Sequence, residues 1–284
     1  MEKYATTSKL MIKKYLVILT IFLTSTLSYG QKKTNHDLSC YANSLDVIGD
    51  IESELFNVFS TDEKVTLDEE LKVGDIVYDN MKSKYSLRTS GNEFERVNEI
   101  MNRLVKQVYS FANPTSNMNF GKYKAHYKIY IIESEEINAF TAGARIFVTT
   151  GIYNFCKSTD ELACIIGHEI CHNELGHIGE QIKKYKTASG YLGDELGAIA
   201  NNIGSFLTQP FNQKNEGHCD LFGLDLARAA GYDACQNIKL WSRMSENSGE
   251  KDVFSIFSSH PYSGDRATCS KNHLKKNYGM NCNN

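Results

Sequence analysis

His168-Glu169-Ile170-Cys171-His172 is the stretch on which the fold turns. Leu162, Ile165, Ile166 and Ile170 recur around it at helical spacing, and Ser158 with Glu161 makes a capping-box pattern just upstream. The motif therefore sits inside an apolar helix with a marked start. Four residues along a helix advance about 400°, so His168 and His172 lie about 40° apart and about 6 Å along the axis. Both imidazoles can face one tetrahedral zinc ion. Glu169, one step on, points toward the open side of that ion. There it can take a proton from the attacking water and pass it to a leaving amine.

A catalytic zinc takes a third protein ligand. The extended HExxHxxGxxH spacing does not supply it, because Leu175 and Ile178 stand where glycine and histidine are needed. His177 falls nine residues past His168, about 900° along a continuous helix, and reads as a surface or second-layer residue. Glu216-Gly217-His218-Cys219-Asp220 opens another helix on which Glu216 and Asp220 share a face. Glu216 can ligate the metal, while Asp220 accepts a hydrogen bond from the second nitrogen of a ligand histidine. Spacing leaves Glu180 and Glu195 open as ligands and does not say which histidine Asp220 holds. His218 is rotated about 200° from Glu216 and is not expected to ligate.

Outward from this core, Ser90 and Glu93 form another capping-box pattern. Phe94, Val97, Ile100, Met101, Leu104, Val105 and Val108 then line one helix face that ends before Pro114. KAHYKIYIIES (124–134) alternates as a strand, and ARIFVTTG marks a second strand within 137–151. Residues 188–209 read as a helix or lid rich in glycine and alanine. Residues 216–230 form a helix stopped by Gly231, and Trp241 lies in a further short helix. In 31–89, Leu45, Ile48, Ile51, Leu55 and Phe59, and then Val73, Ile76 and Val77, suit short helices. The reading is a mainly helical α+β protein with a small β-sheet.

The chain has 284 residues, 41% of them hydrophobic, enough for a sizeable core. Its 31 basic and 34 acidic residues leave no basic excess to neutralise a phosphate backbone, so nucleic acid is excluded as the main partner. Lys13 and Lys14 precede an apolar run from Tyr15 to Leu27, too short for the roughly 20 residues of a membrane helix. With Ser28 and Gly30 behind it, the run reads as a signal peptide cut after Gly30, and the expected location is periplasmic or secreted. No transmembrane span is expected in the mature chain, and peripheral membrane association stays open. The expected organisation is 1–30 signal peptide, 31–89 helical extension and 90–284 catalytic domain. All eight cysteines follow residue 30, and export permits up to four disulfides.

Four stretches together resemble the HtpX-like zinc metallopeptidases, gluzincins related to type 1 CAAX prenyl proteases. Asn138-Ala139-Phe140 followed by IFVTTG resembles the family's edge-strand signature, and His168 to His172 its metal helix. Glu216 to Asp220 followed by LARAAGYD resembles its ExxxD segment, and His260-Pro261 with Arg266 its segment near the C-terminus. The resemblance covers roughly residues 90–270. It implies a zincin-like metalloprotease domain holding one Zn2+ on His168, His172 and Glu216, with Glu169 as general base and Asp220 behind the ligands. His260 is expected to approach the zinc site, to stabilise an oxyanion or to occupy the open coordination position. Arg266 is expected to anchor its loop or contact substrate.

The implied reaction is hydrolysis of exported, unfolded or flexible polypeptides. Asn138, Ala139 and Phe140, with Ile146, Phe147 and Val148, are the expected substrate-binding residues. The strand 146–150 would present an unpaired edge to an extended peptide, or else lie inside the sheet. Cys171 and Cys219 each follow a ligand by three residues. They are expected either to clamp the site as a disulfide or to remain buried thiols. The multiple membrane spans of the prenyl proteases are absent, which points to a soluble exported member. The rival reading is a zinc-bearing chaperone or assembly factor with low or gated proteolysis.

Overall fold

The computed structural model describes residues 33–41, 65–111, 120–189, 195–208, 210–246, 260 and 265–282. The expected signal peptide (1–30), the apolar face of Leu45 to Phe59 and Pro261 lie outside them. The described residues belong to one compact unit, Lys33–Asn284.

After a 3-10 turn at Ser39–Tyr41, helix α1 (Leu67–Lys84) begins with a full capping box between Thr66 and Glu69. Strand β1 (Leu87–Arg88) leads to α2 (Asn92–Val108), whose buried face carries Val97, Ile100, Met101, Leu104, Val105 and Val108. The capping box expected at Ser90 and Glu93 does not form. Gly91 is the N-cap with no side-chain bond, and Glu93 instead pairs with Arg88.

Strands β2 (Lys128–Ile132), β3 (Ala139–Ala142) and β4 (Arg145–Thr149) complete a sheet of order β1-β2-β4-β3. β4 runs parallel to β2 and antiparallel to β3, with Phe140 opposite Phe147. The single strand expected within 137–151 is thus a hairpin, turned at Gly143 (φ 48°) and Ala144 (φ 63°). Asn173 pins that turn, accepting from the Ala144 amide at 2.9 Å. β4 is paired on both sides, so the expected free edge at Ile146, Phe147 and Val148 is corrected: the edge strand is β3. All five β4 residues are buried, because helices cover both faces of the sheet. That burial, rather than a free edge, explains the continuous apolar run.

α3 (Thr150–Phe155) leads to the metal-motif helix α4 (Thr159–Glu174), capped by Ser158. Glu161 reaches past the cap to the Lys157 amide, so the reciprocal half of the expected box is displaced by one residue. Next come α5 (His177–Ser189), α6 (Glu195–Asn201), α7 (Ile203–Leu207) and α8 (Gln213–Ala229). α9 (Gln236–Glu246) and α10 (Arg266–Tyr278) close the chain. Ile129, Ile131, Ile146 and Val148 face a core built with α2, α4, α8 and α9. Ile132, Ala142 and Phe147 face a second core with α1, α5, α6 and α7.

α4 and α8 cross where glycine meets glycine. A Cβ on Gly167 would stand 3.0 Å from the Gly223 carbonyl oxygen, and one on Gly223 would stand 2.9 Å from the His168 amide nitrogen. Only hydrogen at these positions lets the two backbones approach so closely.

Of the two states left open for Cys171 and Cys219, the structure shows buried thiols with no disulfide between them. The bridges are Cys40–Cys269 and Cys235–Cys282. Near the first, Asp225 accepts from Thr34 (2.6 Å), Tyr278 (2.6 Å), His36 (3.0 Å) and His273 (2.7 Å). These bonds clasp the arm 33–41 to α8 and α10. No helix among the described residues is long and apolar enough to cross a membrane.

Candidate metal centre

The close crossing of α4 and α8 places His168, His172 and Glu216 on facing helix surfaces. One ligand atom from each of these, with one from His260, lies within 4.8 Å of every other. The Nε2 atoms of His168 and His172 are 3.0 Å apart. Glu216 Oε2 is 3.4 Å from His168 Nε2, and Oε1 is 3.3 Å from His172 Nε2. His260 Nδ1 sits 3.0 Å from Glu216 Oε1 and 3.3 Å from His168 Nε2. All four side chains are buried.

Three imidazoles and one carboxylate converging in a dry pocket are the donor set of a zinc-type site. Glu216 Oε2 and His260 Nε2 are buried without a hydrogen bond among the described residues, as polar atoms awaiting another partner are. The residues present therefore fit a metal ion. Burial and the neighbouring carboxylates move the two histidines in opposite directions. Burial pushes His172 down to about 3 and so keeps it neutral, the ligating form. Burial also opposes protonation of His168, but Glu216 and Asp220 outweigh it and hold that imidazole up to about 9. Burial resists ionisation of Glu216, yet His260 and His168 keep its carboxyl well below the usual range.

Glu169 lies beside this cluster, 1% exposed, with Oε1 3.5 Å from His260 Nε2 and Oε2 unbonded. Burial raises its proton affinity against the pull of His260 and His168, which suits a group that must accept and return a proton.

Behind the ligands, Asp220 lies 3.0 Å from Nδ1 of His168, which answers which histidine it holds. Asp220 also accepts from Arg266 Nε at 2.8 Å. Arg266 is 2% exposed and stacks 3.6 Å over Trp241, so it anchors this layer rather than making a surface salt bridge. Glu180 is bonded to Asn215 at 3.2 Å and is not in the cluster. His218 points elsewhere, 3.5 Å from His36.

Of the two readings of His177, surface or second layer, the structure shows the second layer, reached by a turn that the helical count did not contain. Gly176 (φ 86°) ends α4 and reorients the chain, so the continuous-helix count does not apply. His177 is 3% exposed, with Nδ1 3.1 Å from Nδ1 of His172 and 3.4 Å from Cys219 Sγ. The glycine after Glu174-Leu175 was the signal for this break. Phe211, stacked on His172 at 3.9 Å between ring centroids, and Tyr41, whose hydroxyl reaches Asp220, were missed. Neither carries a motif.

An α+β body with HExxH on one helix and a carboxylate on the next, closed over a buried donor cluster, defines a zincin-like metallopeptidase domain. The chain belongs to peptidase family M48, whose family model matches residues 93–272. It is 29% identical over 147 residues to the mitochondrial metalloendopeptidase OMA1 of Arabidopsis thaliana, covering 48% of this chain and 29% of that protein. The match to OMA1 of Saccharomyces cerevisiae is 26% over 182 residues, 59% of this chain and 52% of the relative. The metalloprotease LoiP of Escherichia coli is 26% identical over 199 residues, 66% of this chain and 73% of LoiP. The chain thus spans about half or less of the length of the OMA1 proteins it matches.

Proposed function

We propose that this chain is a zinc-dependent endopeptidase acting on unfolded or flexible polypeptides outside the cytoplasm. His168, His172 and Glu216 hold the ion, and Glu169 is the general base. The observation that carries the reading is the buried cluster of four donors within 4.8 Å, set beside a carboxylate with an unbonded oxygen. Bound there, zinc supplies Lewis-acid polarisation of the scissile carbonyl and acidifies water. Glu169 Oε2 accepts the proton of the attacking water and delivers it to the departing amine. Asp220 and Arg266 hold the His168 ring, and His177 holds the far side of His172. The outer edge of β3, beginning at Ala139 and Phe140, pairs among the described residues with β4 alone, so an extended peptide can add there as one more strand. The apolar run behind the basic pair Lys13-Lys14 supports export, to the periplasm or beyond.

One observation favours gated activity, the mark of the assembly-factor alternative. His260 stands inside the donor cluster and in contact distance of Glu216, in the position an incoming carbonyl or water must take. Its withdrawal is then a step before substrate binds.

The test compares wild type with Glu169→Gln on casein, with and without a chelator. Both proteins should hold one zinc per chain, and the variant should cut slower by about 100-fold or more. Equal cutting removes the proposal. Equal silence, with zinc retained, moves the weight to the gated reading.

A further inference from the structure

The arm 33–41 is gripped on both sides of one residue. The Asn277 side chain on α10 accepts from the Asn35 backbone amide at 3.0 Å and donates to the Asn35 carbonyl at 3.1 Å. Those two bonds fix which end of the Asn277 amide is oxygen and which is nitrogen. Its nitrogen lies 3.1 Å from Nδ1 of His273 and 3.3 Å from the His273 carbonyl oxygen, so its second N–H turns toward that residue. Nδ1 must accept. His273 is therefore a neutral imidazole with its proton on Nε2, 2.7 Å from Oδ1 of Asp225.

The surroundings leave little room for another proton. His273 is buried, and the His36 ring stands 5.3 Å from it between centroids. Asp225 on α8 is the carboxylate that both imidazoles face, with Thr34 and Tyr278 donating to it as well. Around this group, His218 lies 3.5 Å from His36, Arg228 stacks 4.0 Å over the Tyr278 ring, and Lys276 pairs with Asp37 at 2.9 Å. One carboxylate balances one imidazolium, and a second buried charge would stand uncompensated. Burial already lowers the proton affinity of His36 against the pull of Asp225.

A proton on Nδ1 of His273 sets N–H against the N–H of Asn277. Turning the Asn277 amide over relieves that clash. Its nitrogen then faces the Asn35 amide and its oxygen the Asn35 carbonyl, so both bonds that grip the arm become repulsions.

We infer that His273 and Asn277 form an acid-opened latch, holding 33–39 on α8 and α10 at neutral pH and releasing it when His273 takes up a proton. Histidine is the side chain that changes charge between about pH 5 and 8. The closed arm refuses the proton and the open one accepts it. Closure is thus complete above about pH 7 and is lost as pH falls below the ordinary histidine value of about 6.5. Cys40–Cys269 keeps the freed segment tethered. Leu38 covers Gly217, where a Cβ would stand 3.0 Å from Leu38 Cδ2, so release uncovers the first turn of the helix that carries Glu216.

The test is hydrogen exchange of the 33–39 amides in the intact chain with zinc present, at pH 7.5 and 5.5, corrected for intrinsic rates. Protection should fall about tenfold in acid, the factor for one proton excluded from the closed form. The buried face of α2 should keep its protection. His273→Gln retains an N–H for Asp225 and takes no charge, so its arm should be equally protected at both pH values. Acid loss of zinc would act on both proteins alike, and their difference reads the latch. Asn277→Asp offers a protonated His273 an acceptor, and its arm should be no less protected at pH 5.5 than at pH 7.5. Wild-type protection that ignores pH overturns the latch, as does an equal loss in α2. An acid loss in His273→Gln that matches wild type overturns it too. If His273→Gln does not fold or leaves the arm open throughout, Asn277→Asp decides, and a wild-type-like acid loss there is fatal.

Discussion

The hydroxyl of Tyr41 donates to Oδ2 of Asp220 at 2.9 Å, so a residue far from every motif touches the carboxylate that steadies His168. Tyr41 is 2% exposed, and its neighbour Cys40 is bridged to Cys269 on α10. The arm 33–41 therefore closes the layer behind the ligands. Tyr41→Phe keeps the ring and removes the bond. It should weaken zinc binding by up to about tenfold, the low end of the cost of disturbing a ligand's outer partner, as read by competition with a chromogenic chelator. Cys40→Ser should move affinity the same way. Unchanged affinity in both would leave the arm a purely structural strap.

Gly223 sets the distance between the two ligand helices. Gly223→Ala brings a methyl within 2.9 Å of the His168 amide nitrogen, so α4 and α8 must separate. The expected cost is about 1–3 kcal/mol of stability by overpacking, together with weaker zinc binding. Gly204→Ala, in open space, is the control and should stay within about 0.5 kcal/mol of wild type by urea denaturation. If the Gly223 variant matches that control, the crossing does not govern the site.

Metal removal should lower thermal stability. The cluster packs a buried carboxylate against three buried imidazoles and leaves Glu216 Oε2 and His260 Nε2 without a hydrogen bond, and a ligand that binds only the folded state adds stability by mass action. Dialysis against a chelator should lower the Tm by several degrees and added zinc should restore it. Glu216→Ala should show the lowered Tm with no response to zinc. A zinc-responsive Glu216→Ala would send the third ligand elsewhere.

Glu69 predicts a pH dependence remote from the metal. It accepts from the Thr66 backbone amide and hydroxyl and pairs with Lys186, which hold its carboxyl down at about 2. In the unfolded chain it titrates near about 4.3. A depressed folded value means stability that is complete above about pH 5 and lost as pH falls through 2. Glu69→Gln should thus be less stable than wild type at pH 7, by about 0.5 kcal/mol for so exposed a cap, and equal to it near pH 2. A gap that persists at pH 2 would assign the effect to packing.

The two ligand helices were legible because helical spacing is local: His168, His172, Glu216 and Asp220 share faces whatever lies around them. The hairpin at Gly143 was not, because a strand buried on both faces reads the same whether it is central or at an edge. Spacing from a ligand also said nothing about cysteine pairing. Cys171 and Cys219 sit on crossing helices and remain thiols, while Cys40 finds a partner 229 residues away. His177 shows the limit of counting turns: one glycine resets the phase. Tyr41 left no trace in sequence, since its role depends on an arm folding back across the whole domain.

Cys40–Cys269 and Cys235–Cys282 overlap along the chain, so every peptide bond from 40 to 282 lies under at least one of them. A single nick anywhere in that span, including one made by a sister molecule, releases no fragment. Such clipped molecules migrate as intact under oxidising electrophoresis and fall apart only once thiols are restored.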